Sequence, residues 1–189
     1  MLSPLNSCRS HHANLHVRGY IKLAVRSPVY LVIIKSDREE VVKRVGRSVE
    51  GIELMPGLYL TWTPREKILK ALDGAKRQAV REWEERGEGP VLETAVLELS
   101  EDQYKEIRPM ARSELERAAS ALLEEMGRLL EKMRSGKGGK NLLGWYRDLA
   151  RRYERLVNAS LALDIEPTVM GRLRDRWKEL SLEAGRMKS

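Results

Sequence analysis

Val29–Ile34 (VYLVII) is a continuous apolar run, rich in β-branched residues and too short for a helix, so it predicts a buried strand. Ser36 or Asp37 then offers a helix cap, and Val41, Val42, Val45 and Val49 recur at helical spacing up to Gly51. Ile52–Met55 and Leu58–Trp62 flank the turn signal Pro56-Gly57, which predicts a hairpin with Leu58, Leu60 and Trp62 on one face. Thr63-Pro64 opens a second helix, with Thr63 as cap and Glu66 three residues on. Ile68, Leu69, Leu72, Ala75, Ala79, Val80 and Trp83 form its apolar stripe, and Gly87 and Gly89 end it. Pro90 introduces a last strand, Val91–Leu99.

This order of strand, helix, strand, strand, helix, strand is that of a ferredoxin-like βαββαβ unit: an antiparallel sheet with both helices on one face. It accounts for residues 29–100. From Glu101 the period becomes helical throughout. Ser100 and Gln103 make a capping box. Leu115, Ala119, Leu122, Met126, Leu129 and Met133 are spaced alternately four and three apart, and Pro109 predicts an irregular or kinked stretch before them. After Ser135–Lys140 (SGKGGK) the same rhythm returns in Leu142, Tyr146, Leu149, Tyr153, Leu156, Ser160 and Leu163. Two such stripes across a short Gly-rich turn predict a long antiparallel helical hairpin. A C-terminal helix begins near Glu166–Thr168, with Val169, Met170, Leu173, Trp177, Leu180 and Leu182 as its apolar residues. The fold class is therefore α+β, with a ferredoxin-like region at 29–100 and a helical region at 101–189. Residues 1–28 read as an extension outside the folded body.

Composition narrows the chemistry. The 189 residues hold no apolar run of membrane-spanning length. A single Cys excludes a disulfide framework and a four-thiolate zinc site. The three His (His11, His12, His16) accompany Cys8 in the extension, at a spacing that fits no standard zinc pattern. With no His beyond residue 16, the folded body has no Ser-His-Asp or Cys-His nucleophile arrangement. The extension is basic and acid-poor, faintly like a transit peptide, yet it lacks the apolar core of a secretory signal. No catalytic residue, cofactor or metal is expected, no membrane partner either, and a cytoplasmic location is the default. Abundant Arg, Glu and Leu with few Asn and Gln lean toward a heat-adapted source.

The net charge of +7 is unevenly spread. Residues 1–36 carry +5, residues 37–131 carry −5, and residues 132–189 carry +7. A basic end beside an acidic body suggests a polyanion partner such as DNA or RNA, whereas interleaved charges on a helical surface would equally give an ion-pair network. SGKGGK superficially resembles a phosphate loop, but a helix precedes it and Asn141 follows Lys140 where Ser or Thr would meet Mg²⁺. Arg147, Arg151 and Arg155 share a helix face by i,i+4 spacing, with Arg152 beside them. Arg172, Arg174 and Arg176 decorate the last helix. Trp145, Tyr146, Tyr153 and Trp177 are interleaved. These seven arginines, with Lys137 and Lys140 at the hairpin tip, are the candidate nucleic-acid-binding set. The heptad positions of Tyr146 and Tyr153 favour core packing.

Three segments also resemble the N-terminal domain of the ChrB-type chromate-resistance regulators: GIELMPGLYLTWTPREKI, GPVLETAVLELSEDQYKEIRPMARSELERAASALLEEM and LARRYERLVNASLALDIEP. The likeness covers residues 29–180 by pattern. It implies a transcriptional or stress-response regulator, and a sheet related to a small CRISPR-associated nuclease family and to the middle domain of phenylacetate-type repressors. The nuclease relatives carry Asp at the end of the first strand, where this chain has Lys35, with Asp37 two positions on. Three readings follow: a noncatalytic, homodimeric regulator that binds nucleic acid; a protein-interaction module; or a metal-dependent nuclease using Asp37 or Glu53.

Overall fold

Alternation along the first strand decides how the sheet is covered. In the computed structural model, which describes residues 28–135 and 141–186, β1 (Tyr30–Ser36) buries Tyr30, Val32 and Ile34 against one layer and turns Leu31, Ile33 and Lys35 to the other. The remaining elements are α1 (Glu39–Val49), β2 (Ile52–Met55), β3 (Leu58–Thr61), α2 (Arg65–Arg86), β4 (Leu92–Glu98), α3 (Glu101–Arg134), α4 (Leu142–Leu163) and α5 (Met170–Arg186). The protein is α+β: the described residues form a four-stranded antiparallel sheet of order β2-β3-β1-β4 and five helices.

One face of the sheet packs on α1 and α2 through Tyr30, Val32, Ile34, Tyr59, Val41, Val45, Val49, Ile68 and Leu72. The other face supplies Leu54 and Leu60 to a larger cluster that runs through α3 into α4 and α5. The two heptad stripes are buried as their spacing predicts, except that Tyr146 and Tyr153 are half-buried and lie against α5. A fully buried Leu or Met contributes about 1.5–3 kcal/mol, so Leu115, Leu122, Met126, Leu129 and Leu130, each at most 2% exposed, make α3 the spine of the fold.

Several local expectations are corrected. No side chain caps α1: its N-cap is Arg38, whose N–H donates to Ser36 Oγ, while Asp37 Oδ1 accepts from Val91 N–H and ties β1 to the start of β4. The left-handed residue that ends α1 is Glu50 (φ 53°), one position before Gly51. Pro64 is the N-cap of α2, and Thr63 points inward, its hydroxyl donating to Val49 O. Thr61 beside it donates toward Val49 O and Glu50 O and accepts from Thr63 N–H, which fastens the end of α1 to β3. Burying those polar groups in mutual hydrogen bonds outweighs a cap made at an exposed helix start. Pro109 lies inside a continuous α3 instead of an irregular stretch. Leu69, Val80 and Trp83 of α2 and Leu182 of α5 are exposed, so each apolar stripe is narrower than its sequence pattern. The capping box at Ser100 and Gln103 forms in both directions.

Two glycines are required by close approach. Gly57 adopts φ 80°, and a Cβ there would lie 2.3 Å from Ile34 O. Gly46 lets the Tyr59 ring lie directly on α1.

Candidate nucleic-acid interface

The α4 sequence separates its residues by angle. Leu142, Leu149, Leu156 and Leu163 are buried, and Arg147, Arg151 and Arg155 fall on the opposite, exposed side. A four-residue step advances about 6 Å along a helix, so the three guanidiniums form a row about 12 Å long. None of the three makes an ion pair among the described residues; Arg155 Nε donates to Arg151 O within the helix. Glu154 and Asp148 are the exposed acids that flank this row on α4, Asp148 lying 3.8 Å from Arg152. Three adjacent unneutralised guanidiniums repel one another in water and favour a polyanion laid across them.

The other candidates do not join this row. Arg152 points toward α3 and binds Glu125 in a fork of two bonds, at 2.7 and 2.8 Å, with Asp148 3.8 Å away. The hydrogen bond from Arg152 holds the Glu125 carboxyl below its ordinary range, and the same contact raises Arg152. Arg174 pairs with Glu166 at 3.0 Å. Arg176 shares Glu179 with Arg134, at 3.6 and 3.2 Å, and edges an open groove on α3 whose lining mixes Glu124 and Glu131 with Arg128 and Arg134. Arg172 is exposed and forms no ion pair among the described residues, on the Arg176 flank of α5. Lys137 and Lys140 lie outside the described residues, as do Cys8 and the three His.

The aromatic residues face inward. Trp177 is stacked between Tyr146 (ring centroids 5.4 Å apart, 5° between planes) and Tyr153 (5.0 Å, 19°). Tyr146 Oη donates to Ser181 Oγ. Trp145 carries the Lys132 ammonium 5.0 Å from its ring centroid. These rings hold α3, α4 and α5 together, and none is open as a platform for a base.

A second basic surface escaped the sequence reading. Lys67, Lys70, Arg77 and Arg81 of α2 are exposed and form no ion pair among the described residues. Interleaved Glu66, Asp73, Glu84 and Glu85 conceal them in the sequence, and those acids lie along the same outward side, which leaves the α4 row the less compensated of the two.

The two carboxylates considered for metal binding serve the fold. Asp37 accepts from Val91 N–H at 2.8 Å, and Glu53 Oε1 accepts from Tyr59 Oη at 3.0 Å and from Gly57 N–H at 3.4 Å. Among the described residues, no three His, Cys, Asp or Glu side chains gather as a metal site, and no helix is long and apolar enough to cross a membrane. Compared with protein-family models, curated proteins and solved structures, the chain matches none.

Proposed function

We propose that the protein is a noncatalytic, nucleic-acid-associated regulator that holds the phosphate backbone with Arg147, Arg151 and Arg155. The observation that carries this reading is the row of three exposed guanidiniums without carboxylate partners among the described residues, on a helix whose aromatic neighbours are all engaged in packing. Contacts of this kind position a strand through charge and carry no base sequence by themselves. Duplex DNA is accordingly the favoured ligand over unpaired strands, whose usual anchorage is base stacking on exposed rings. The strand order β2-β3-β1-β4, with α1 and α2 on one face, supports a ferredoxin-like description of residues 29–100. The likeness to ChrB-type regulators supports the regulatory half of the reading.

Fluorescence polarisation with mixed-sequence duplex DNA, single-stranded DNA and RNA over a salt series tests it. Three phosphate contacts give a slope of about −2.7 in log K against log salt. Arg147→Glu/Arg151→Glu/Arg155→Glu is expected to abolish duplex binding, and Lys70→Glu/Arg77→Glu on α2 to leave most of it. A triple variant that binds as tightly as the wild type would dismiss this surface. Flat signals for all three nucleic acids at low salt would dismiss nucleic-acid binding itself in favour of a protein partner.

A further inference from the structure

The two edges of the sheet are built differently. β2 is four residues long, its pairing slips between Glu53 and Met55, and Pro56 follows. Shortness, a bulge and a proline are the devices that keep an edge from recruiting another strand. β4 has none of them. Its seven residues, LETAVLE, pair with β1 without a shift from Leu92 to Glu98 and include no Pro, Gly or Lys. No residue of β4 is buried, and Leu97 is 50% exposed.

The unpaired groups on that edge can be named. Leu99 N–H donates to Val29 O, so the odd-numbered residues of this strand turn their backbone groups to β1. The N–H and C=O of Leu92, Thr94, Val96 and Glu98 therefore point away from the sheet. They meet no partner among the described residues.

We propose that β4 pairs antiparallel with β4 of a second copy about a two-fold axis at Ala95, making one continuous eight-stranded sheet. This register uses all seven residues. Leu92 and Glu98 then face each other, as do Thr94 and Val96, and Glu93 and Leu97, so no two carboxylates are directly opposed. Glu93 is in addition paired with Lys35 of its own copy at 3.3 Å. Ala95 meets its own copy at a non-hydrogen-bonded position, where the two backbones approach to about 4.5 Å and a small side chain fits. The register also joins two apolar rows. Met55, Leu58, Ile33 and Ala95 are aligned across the face away from α1 and α2, with Met55 54% and Ile33 39% exposed. Across the axis that row continues into its copy. Val91 (51% exposed) and Trp83 (48%), whose Nε1 donates to Pro90 O, add apolar surface at the start of the strand. An isologous contact of this type closes on itself and stops at two copies.

Light scattering on the full chain tests the proposal, with an expected mass twice the 21.7 kDa of one copy. Val96→Pro removes one outward N–H, which an isolated edge strand tolerates and a central strand does not. It is expected to halve the mass and leave the far-UV circular dichroism unchanged. In a Cys8→Ser background, Ala95→Cys is expected to give a covalent dimer on mild oxidation, because the Cα separation at such a pair lies within disulfide range. A monomeric wild type at high micromolar concentration would overturn the proposal. So would a dimer that survives Val96→Pro and does not cross-link through position 95. If the wild type is monomeric and removal of residues 1–27 makes it dimerise, the chain's own N-terminal segment holds the edge and the second copy is excluded.

Discussion

Replacing Gly46 by Ala sets two known effects against each other. Gly46 lies mid-helix in α1, where Ala is intrinsically favoured over Gly by about 1 kcal/mol. An added Cβ would, however, stand 2.2 Å from both Cζ and Oη of Tyr59. Ordinary contact begins above 3.4 Å, so the ring or the helix must yield by more than an ångström. The ring has little room: Tyr59 is 5% exposed, and its hydroxyl donates to Glu53. Overpacking a core costs about 1–3 kcal/mol, and a strained or lost hydrogen bond adds about 1 kcal/mol. Packing therefore wins, and Gly46→Ala is expected to destabilise by about 1–3 kcal/mol after the helical gain is subtracted. In a chain of this size each kcal/mol moves the midpoint by about 2–4 °C. Gly74 is the internal control: it lies inside α2 with nothing within 4 Å of an added Cβ. Gly74→Ala is expected to stabilise by about 0.5–1 kcal/mol. Urea unfolding followed by circular dichroism measures both. A Gly46→Ala protein as stable as the wild type would refute the packing of Tyr59 on α1.

Two further outcomes concern ionisable groups. In a double-mutant cycle, Arg152→Ala and Glu125→Ala are expected to couple by about 1 kcal/mol, since the fork is well formed but partly exposed. Glu125 is held below its ordinary value of 4.5, so the carboxylate's contribution is whole above that pH and is lost as pH falls below it. The gap between wild type and Arg152→Ala should thus shrink in acid; a gap constant from pH 7 to pH 3 would contradict the pairing. Burial first, and Glu53 second, push the Tyr59 hydroxyl up to about 12 from its ordinary 10.0. Its stabilising effect is intact below pH 10 and fades as pH rises toward 12. Tyr59→Phe is expected to flatten that alkaline decline, as urea midpoints taken from pH 9 to pH 11.5 would report.

Periodicity located every element between Tyr30 and Arg186 because alternation of two and of about three and a half residues is a property of the backbone alone. Val32 and Ile34, Val41 and Val45, or Leu122 and Met126 announce the face they bury without reference to any partner. The ends were less legible. Thr63 has the chemistry of a cap, but a carbonyl from α1 reaches it first, and that carbonyl comes from fourteen residues away. Val80, Trp83 and Leu182 match their stripes in spacing, but no element among the described residues covers them.

The candidate site divides along the same line. By itself the sequence determined that Arg147, Arg151 and Arg155 share a face, since i,i+4 neighbours must. Only the tertiary structure decided that Arg152, one residue from Arg151, belongs to Glu125, that Arg174 and Arg176 are paired, and that the interleaved Tyr146, Tyr153 and Trp177 stack on one another. Charge and ring pairing depend on which helices lie side by side and at what angle. That choice is made by the packing of whole apolar faces, and no local spacing in the chain encodes it.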